Sequence, residues 1–382
     1  MFVVYLIIFA VLLGLVFFYF LLKTKNIDIW FKSYLLSNKP KSVAGPVHIM
    51  FSFVDHYEPM WGGADTDEQR RRVDYWVKHY PKQVSSYVDA DGKNPQHTFF
   101  YPAEEYKFEY LEKISNLCKK GYGEIEIHLH HDDDTEENFL SSMNDFLEIL
   151  DTKHGVVPKI DGSYRFSFIH GNWALDNSRK DGRWCGLNNE LILLKKLGCY
   201  ADFTLPSAPS DTQTSKVNSI YYATDNPSKP KSHNKGTDVE VGGKKSGDLM
   251  IIQGPLALNF KQRKFGLLPK IENSDIRHAY LPTNDRVDLW VDQHIHVKGK
   301  PEWVFIKIHT HGTQNKDMET VLGNEVSSMY EYLQSKYNDG EKHVLHYVTA
   351  REMYNIVKAA EAGEKGNPGT FRDYNIPSPF SA

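Results

Sequence analysis

The chain has 382 residues, with 45 Lys and Arg against 49 Asp and Glu and a formal net charge of −4. That balance offers no general affinity for a polyanion, so nucleic acid is not an expected partner. The three cysteines, Cys118, Cys185 and Cys199, are too few and too scattered for a disulfide framework or an all-cysteine zinc knot, and they fit a reducing compartment.

From Phe2 to Leu22 the sequence carries no charged residue, and about twenty apolar residues are what a helix needs to cross roughly 30 Å of hydrocarbon. Nothing basic precedes this run and Lys23 and Lys25 follow it, the pattern of an uncleaved anchor rather than a cleaved secretory signal. Residues 1–25 are therefore expected to form a single-pass membrane anchor, inserted through residues 2–22, and residues 26–44 a juxtamembrane linker. Lys23, Lys25, Lys32, Lys39 and Lys41 all lie beyond the span, which points to a cytoplasmic domain; a periplasmic or extracellular one is the alternative.

Residues 45–382 read as one domain in which short apolar runs alternate with helical patterns. Strands are expected at 46–54, 97–101, 124–130, 164–170, 200–205, 249–254 and 302–309, and helices at 66–80, 103–119, 135–152, 187–197, 315–337 and 350–361. This spacing predicts an α/β fold with a mainly parallel sheet and outer helices, closed or nearly closed as a (β/α) barrel. A polar stretch at 225–247 interrupts the alternation and reads as an insertion. Residues 343–347 look like a strand feeding a helix that Thr349 caps, with Glu352 placed for a capping box.

In such folds reactive groups collect beyond the carboxyl ends of the strands. The first strand ends in Asp55, His56 and Glu58, three groups able to bind metal or move protons. The third ends in His128 and His130, which a period of two puts on one side of the strand, followed by Asp132, Asp133 and Asp134. Imidazole and carboxylate without cysteine suit one divalent ion, zinc or another first-row metal. Another strand ends in His170, Gly171, Asn172 and Trp173, where Asn172 and Trp173 offer a polar contact and an apolar floor for a sugar-like ligand. The last brings His309 and His311 beside Gly312. His294 and His296 alternate too, but Lys298, Gly299 and Lys300 follow them and mark a turn.

Taken in order, Val54-Asp55-His56, the segment from Glu124 to Asp132, and Ile308-His309 to His311 resemble the motifs of the polysaccharide deacetylase family, the NodB-type carbohydrate esterases. The resemblance covers most of residues 46–312 and implies a distorted or incomplete seven-stranded barrel. It implies Asp55 as base, His309 or His311 as acid, and an ion held by His128, by His130 or Asp132, and by His56 or Asp55, with His170, Asn172 and Trp173 toward substrate. The sequence departs from the family where an Asp-Asp pair reads Asp55-His56, where a strict His-x-x-x-His lands on Asp132, and where no Arg-x-Pro follows the His170 strand. The implied activity is metal-dependent deacetylation of N-acetylated sugars in a glycan or lipid-linked saccharide. Two other readings remain: a glycosidase pairing Asp55 or Glu58 with one of Asp132 to Asp134, or a non-catalytic glycan-binding scaffold. A rim tethered to a bilayer suggests a membrane-associated carbohydrate substrate.

Overall fold

The computed structural model describes residues 2–380 apart from 38 and 41, so Lys41 of the juxtamembrane lysines lies outside the described residues. Helix α1 (Phe2–Thr24) is long and apolar enough to cross a membrane, and among the described residues none of its apolar window is buried against the rest of the chain. The expected linker is instead partly a docked helix. In α2 (Ile27–Leu35) Trp30 is fully buried and packs with Ile27 against Ala208, Val217 and Leu256. Nothing in 26–44 marks that contact in advance, because the apolar partners come from segments about 180 residues and more away.

The described residues form a mixed α/β domain on an eleven-stranded, mostly parallel sheet. In chain order the elements are β1 (Val47–His56), α3 (Thr66–Val84), β2 (His97–Pro102), α4 (Phe108–Leu117), β3 (Gly123–Leu129), α5 (Glu136–Ile149), a small hairpin of β4 (Lys159–Ile160) and β5 (Ser163–Tyr164), β6 (Phe166–His170), α6 (Glu190–Leu197) and β7 (Cys199–Asp202). They continue as β8 (Ile220–Ala223), β9 (Thr237–Asp238), β10 (Leu249–Ile252), a hairpin of β11 (Ala257–Lys264) and β12 (Leu268–Glu272), β13 (Asp275–Ile276), α7 (Asn284–Asp292), β14 (Trp303–Thr310), α8 (Asn315–Val321), α9 (Asn324–Tyr337), β15 (His343–Tyr347) and α10 (Ala350–Ala362). The expected helix at 315–337 is broken at Leu322-Gly323, and the one at 103–119 is α helix only over Phe108–Leu117.

Strand β1 is central. It pairs in parallel with β14 along one edge, and on the other with β15 through Val47–Phe51 and with β2 through Phe53–His56. From β2 the sheet runs through β3, β6, β7 and β10 to antiparallel β8 and β9. Alternate residues of β1 serve opposite faces: Phe51 and Phe53 join the helix-side core with Val73, Trp76 and Tyr80 of α3, while Met50 and Val54 join a second core with Phe100, Ile169, Phe305 and Met353. The helix side follows from apolar residues at helical spacing and from Asp65, which caps α3 by accepting from the Glu68 N–H at 2.9 Å.

The two ends of this sheet approach each other. Buried Lys307 of β14 donates to the Phe203 carbonyl just past β7 at 2.9 Å, and a Cβ on Gly254, just past β10, would sit 2.3 Å from the Lys307 carbonyl oxygen. At the opposite end from the carboxyl rim, α10 starts with the expected capping box, and Thr349 Oγ1 also donates to buried Glu124 at 2.8 Å.

Candidate functional site

The carboxyl ends of β1, β3, β6, β13 and β14 meet around a cavity of about 300 Å³ lined by His56, Glu58, Trp61, His130, Asn172, Trp173, Arg277, His311, Gln314 and Asp317. Because β1 and β3 alternate in step, His56, His128 and His130 project to the face opposite the outer helices. Glu58 lies just beyond β1, where the chain turns. His56, Glu58 and His128 are buried and bring one donor atom each within 4.8 Å of one another.

Glu58 is the hub. Its Oε1 lies 3.3 Å from His128 Nε2 and 3.2 Å from His130 Nε2, while Oε2 is buried with no hydrogen-bond partner. His128 Nδ1 lies 2.8 Å from the Ile169 carbonyl, which can only accept, so Nδ1 carries a proton; Nε2 faces the carboxylate, donating to it when the ring is charged and presenting a lone pair when it is neutral. His130 Nδ1 is fixed by Glu104 at 2.6 Å. Carboxylates and carbonyls behind the rings are the usual means of aiming imidazoles at an ion. These donors, a buried anion with one orphaned oxygen and two buried imidazoles, fit a divalent first-row metal.

Charge at the site is concentrated on Glu58 and His130. Burial alone would raise the Glu58 carboxyl, but hydrogen bonds from His128 and His130 hold it well below the usual carboxylate range. Burial works against charge on His130 as well, yet Glu104 and Glu58 raise it to about 10. His56 moves the other way, well below the ordinary imidazole value, through burial and the neighbouring rings of His311 and His128. Burial likewise lowers His311, whose ring stacks on His56 with centroids 4.5 Å apart.

Two glycines make the rim possible. A Cβ on Gly171 would meet the His130 ring at 2.4 Å, and one on Gly312 would meet Asp55 Oδ2 at 2.2 Å. Past Gly171, Asn172 and Trp173 both take positive φ, 53° and 57°, a conformation that is strained for a bulky residue. This turn directs Trp173 to the cavity wall, where its ring lies 6.1 Å from His56 and 5.8 Å from His311 and its Nε1 has no partner.

Other expected site residues stand elsewhere. Asp55 does not line the cavity: it faces the helix side of β1, where Oδ1 accepts the Gly312 N–H at 2.6 Å and Oδ2 pairs with buried His97 at 3.0 Å. Asp132 is exposed and accepts the Trp184 N–H at 2.5 Å, so it does not join His128; the alternation that aims His128 and His130 inward has ended with the strand. His170 lies outside the cavity, with His131 and Glu190. His309 is buried beneath the rim, 6.2 Å from His56, and only His311 reaches the cavity wall. Glu58 was visible in the sequence as a potential ligand, whereas Glu104, Arg277 and Asp317 carried no local signal.

Asp89, Asp91 and His346 form another group of potential ligands at the far end of β15. There Arg372 bonds Asp89 at 2.8 Å and Asp91 at 3.0 Å, so a guanidinium already supplies the positive charge.

No protein-family model matches the chain, and no curated protein matches it significantly.

Proposed function

We propose that the chain is a membrane-anchored, metal-dependent hydrolase that deacetylates an N-acetylated sugar of a glycan or lipid-linked saccharide. The observation that carries this reading is Glu58 set between His128 and His130, with His56 beside them, on the floor of a cavity walled by Trp61 and Trp173. His56, Glu58 and His128 would hold the ion, with His130 as a further donor. The chemistry a first-row ion supplies at such a set is polarisation of an acyl oxygen and acidification of water.

The chain's own groups then divide the remaining work. His311 and Asp317 line the cavity and can carry protons to and from the reacting atoms, with Asp317 oriented by His278 at 2.7 Å. Asp55, assigned as base by the family resemblance, is better read as a positioning residue that holds the Gly312 turn and so the His311 ring. Trp173 offers an apolar face and an unpaired N–H for a sugar ring. The contacts of Lys307 and Gly254 between the two ends of the sheet support the barrel reading of the domain.

A groove of about 350 Å³ runs from Leu21 and Lys25 at the end of α1 past Lys264 and Lys270 to Arg277, which also lines the reactive cavity. Lys25, Lys264 and Lys270, with Arg277 paired to Asp275 of the same groove at its inner end, line a path from the bilayer to the rim that suits the phosphate of a lipid-linked glycan. Beside it, the β11–β12 hairpin exposes Phe265 (93%) and Leu267 (79%) at its tip, apolar side chains suited to entering the interface next to α1. The double substitution F265E/L267E is expected to depress deacetylation of a lipid-linked saccharide in vesicles at least about tenfold, since two apolar contacts are lost, and to leave turnover of a soluble oligosaccharide unchanged. Equal losses on both substrates would remove the hairpin from the reading.

The direct test is acetate release from N-acetylhexosamine oligosaccharides by the full chain in detergent. Chelation is expected to abolish release and zinc or another first-row ion to restore it. Bound metal without acetate release would redirect the site to another hydrolysis; neither metal nor acetate would leave the glycan-binding scaffold.

A further inference from the structure

A second convergence of ligand atoms lies on the helix-facing side of the sheet, outside the reactive cavity. His170 ends β6 and is the register partner of Leu129, which packs in the helix-side core, and His131 follows β3 by two residues. Their Nε2 atoms are 2.8 Å apart. Glu190 Oε1, from the first residue of α6, lies 3.2 Å from one and 3.4 Å from the other. Cys185 brings its sulfur 3.5 Å from Glu190 Oε2. The side chains of His170 and Glu190 are fully buried and that of His131 is 6% exposed.

The protons on the two rings can be placed. His131 Nδ1 faces Asp134 Oδ2 at 3.0 Å and His170 Nδ1 faces the Gly171 carbonyl at 2.6 Å; both partners accept, so both neutral rings carry hydrogen on Nδ1. Two bare Nε2 lone pairs and a carboxylate oxygen then point at one another within 3.4 Å. Such an arrangement is repulsive unless a proton or a metal ion sits among them. Metal–ligand bonds of about 2.0–2.2 Å in a tetrahedron put N and O ligands roughly 3.3–3.6 Å apart, so the 3.2 and 3.4 Å separations of Glu190 from the two rings already fit, and the 2.8 Å between the rings would widen by about half an ångström on binding. Cys185 is held in place as a potential ligand: its sulfur accepts N–H groups from Asn177 at 3.3 Å and Leu187 at 3.4 Å, which fix it beside Glu190.

We propose that His131, His170, Glu190 and Cys185 form a second metal site, closed and structural, for a tetrahedral divalent ion of the zinc type. Three nitrogen and oxygen donors with one sulfur, His131 part-buried and the other three buried, fill a four-ligand shell and match a structural rather than a catalytic site. The site fastens the 171–189 segment to the end of β3. That segment carries Asn172 and Trp173 in their strained conformation, which persists only where the surroundings over-determine it. The ion thus fixes the wall of the cavity without touching a reacting group.

Metal analysis and cobalt substitution of the full chain in detergent test the assignment. The wild type is expected to bind two equivalents, and its cobalt form to show thiolate-to-cobalt charge-transfer absorption in the near-ultraviolet, because the reactive cavity contains no cysteine. C185S should abolish that band. H170A should lose one equivalent, whereas H128A should lose the other and keep the band. The cobalt spectrum of the wild type needs no variant to fold. A single equivalent with no thiolate band, or a band that survives C185S, would overturn the proposal and mean that a shared proton holds the two rings. Neither outcome bears on acetate release, so this site and the hydrolase reading stand or fall separately.

Discussion

Replacing His128 by alanine is expected to lower kcat/KM for acetate release by more than about a hundredfold, because residues that merely orient metal ligands already cost 10–100-fold when removed. The ring is fully buried, aimed by the Ile169 carbonyl and faces Glu58 at 3.3 Å, so its loss removes a fixed donor from the centre. Metal content should fall by one equivalent in the same preparation. Glu104→Ala provides the graded comparison: it leaves all three buried donors in place and frees the ring and backbone N–H of His130, so its loss should fall within the 10–100-fold range. If H128A retained both its metal and its turnover, the cavity floor would not be the reactive centre.

The largest effect on stability is expected at Arg351. Its guanidinium bonds both oxygens of Glu124 at 2.7–3.1 Å and reaches the carbonyls of Arg372 and Ile376, with its side chain 3% exposed and that of Glu124 7%. Arg351→Met leaves a buried carboxylate without its counter-charge, and breaking a buried pair from one side costs about 3–5 kcal/mol. Glu124→Gln added to R351M should recover a substantial part of that loss, since a neutral amide can still accept from Thr349. Denaturant titration of the two variants against the wild type gives the comparison. If R351M unfolded at the wild-type midpoint, the pair would not hold the C-terminal segment to the sheet.

Much of the scaffold was legible because its determinants are local. Uninterrupted apolarity marked α1, alternation marked β1, β3 and β14, and Thr349 with Glu352 marked the start of α10. Elements whose stabilising contacts are distant were not legible in the same way. Trp30 needs Val217 and Leu256, and the α8–α9 break needs Gly323, whose N–H turns back to the Thr320 carbonyl at 3.3 Å.

The site divides along the same line. By itself the sequence placed His56, His128, His170 and His309 near strand ends and showed that His128 and His130 share a face, because a side-chain period of two is a property of one extended chain. Only the tertiary structure decided what each histidine meets. His130 and His131 are neighbours in sequence, yet one turns to Glu58 and Glu104 in the cavity and the other to His170 and Glu190 against the helices. Asp55 and His56 divide in the same way between the two faces of β1. Which carboxylate or ring lies across from them depends on strand order and register, and those are set by packing between segments tens to hundreds of residues apart rather than by any local pattern.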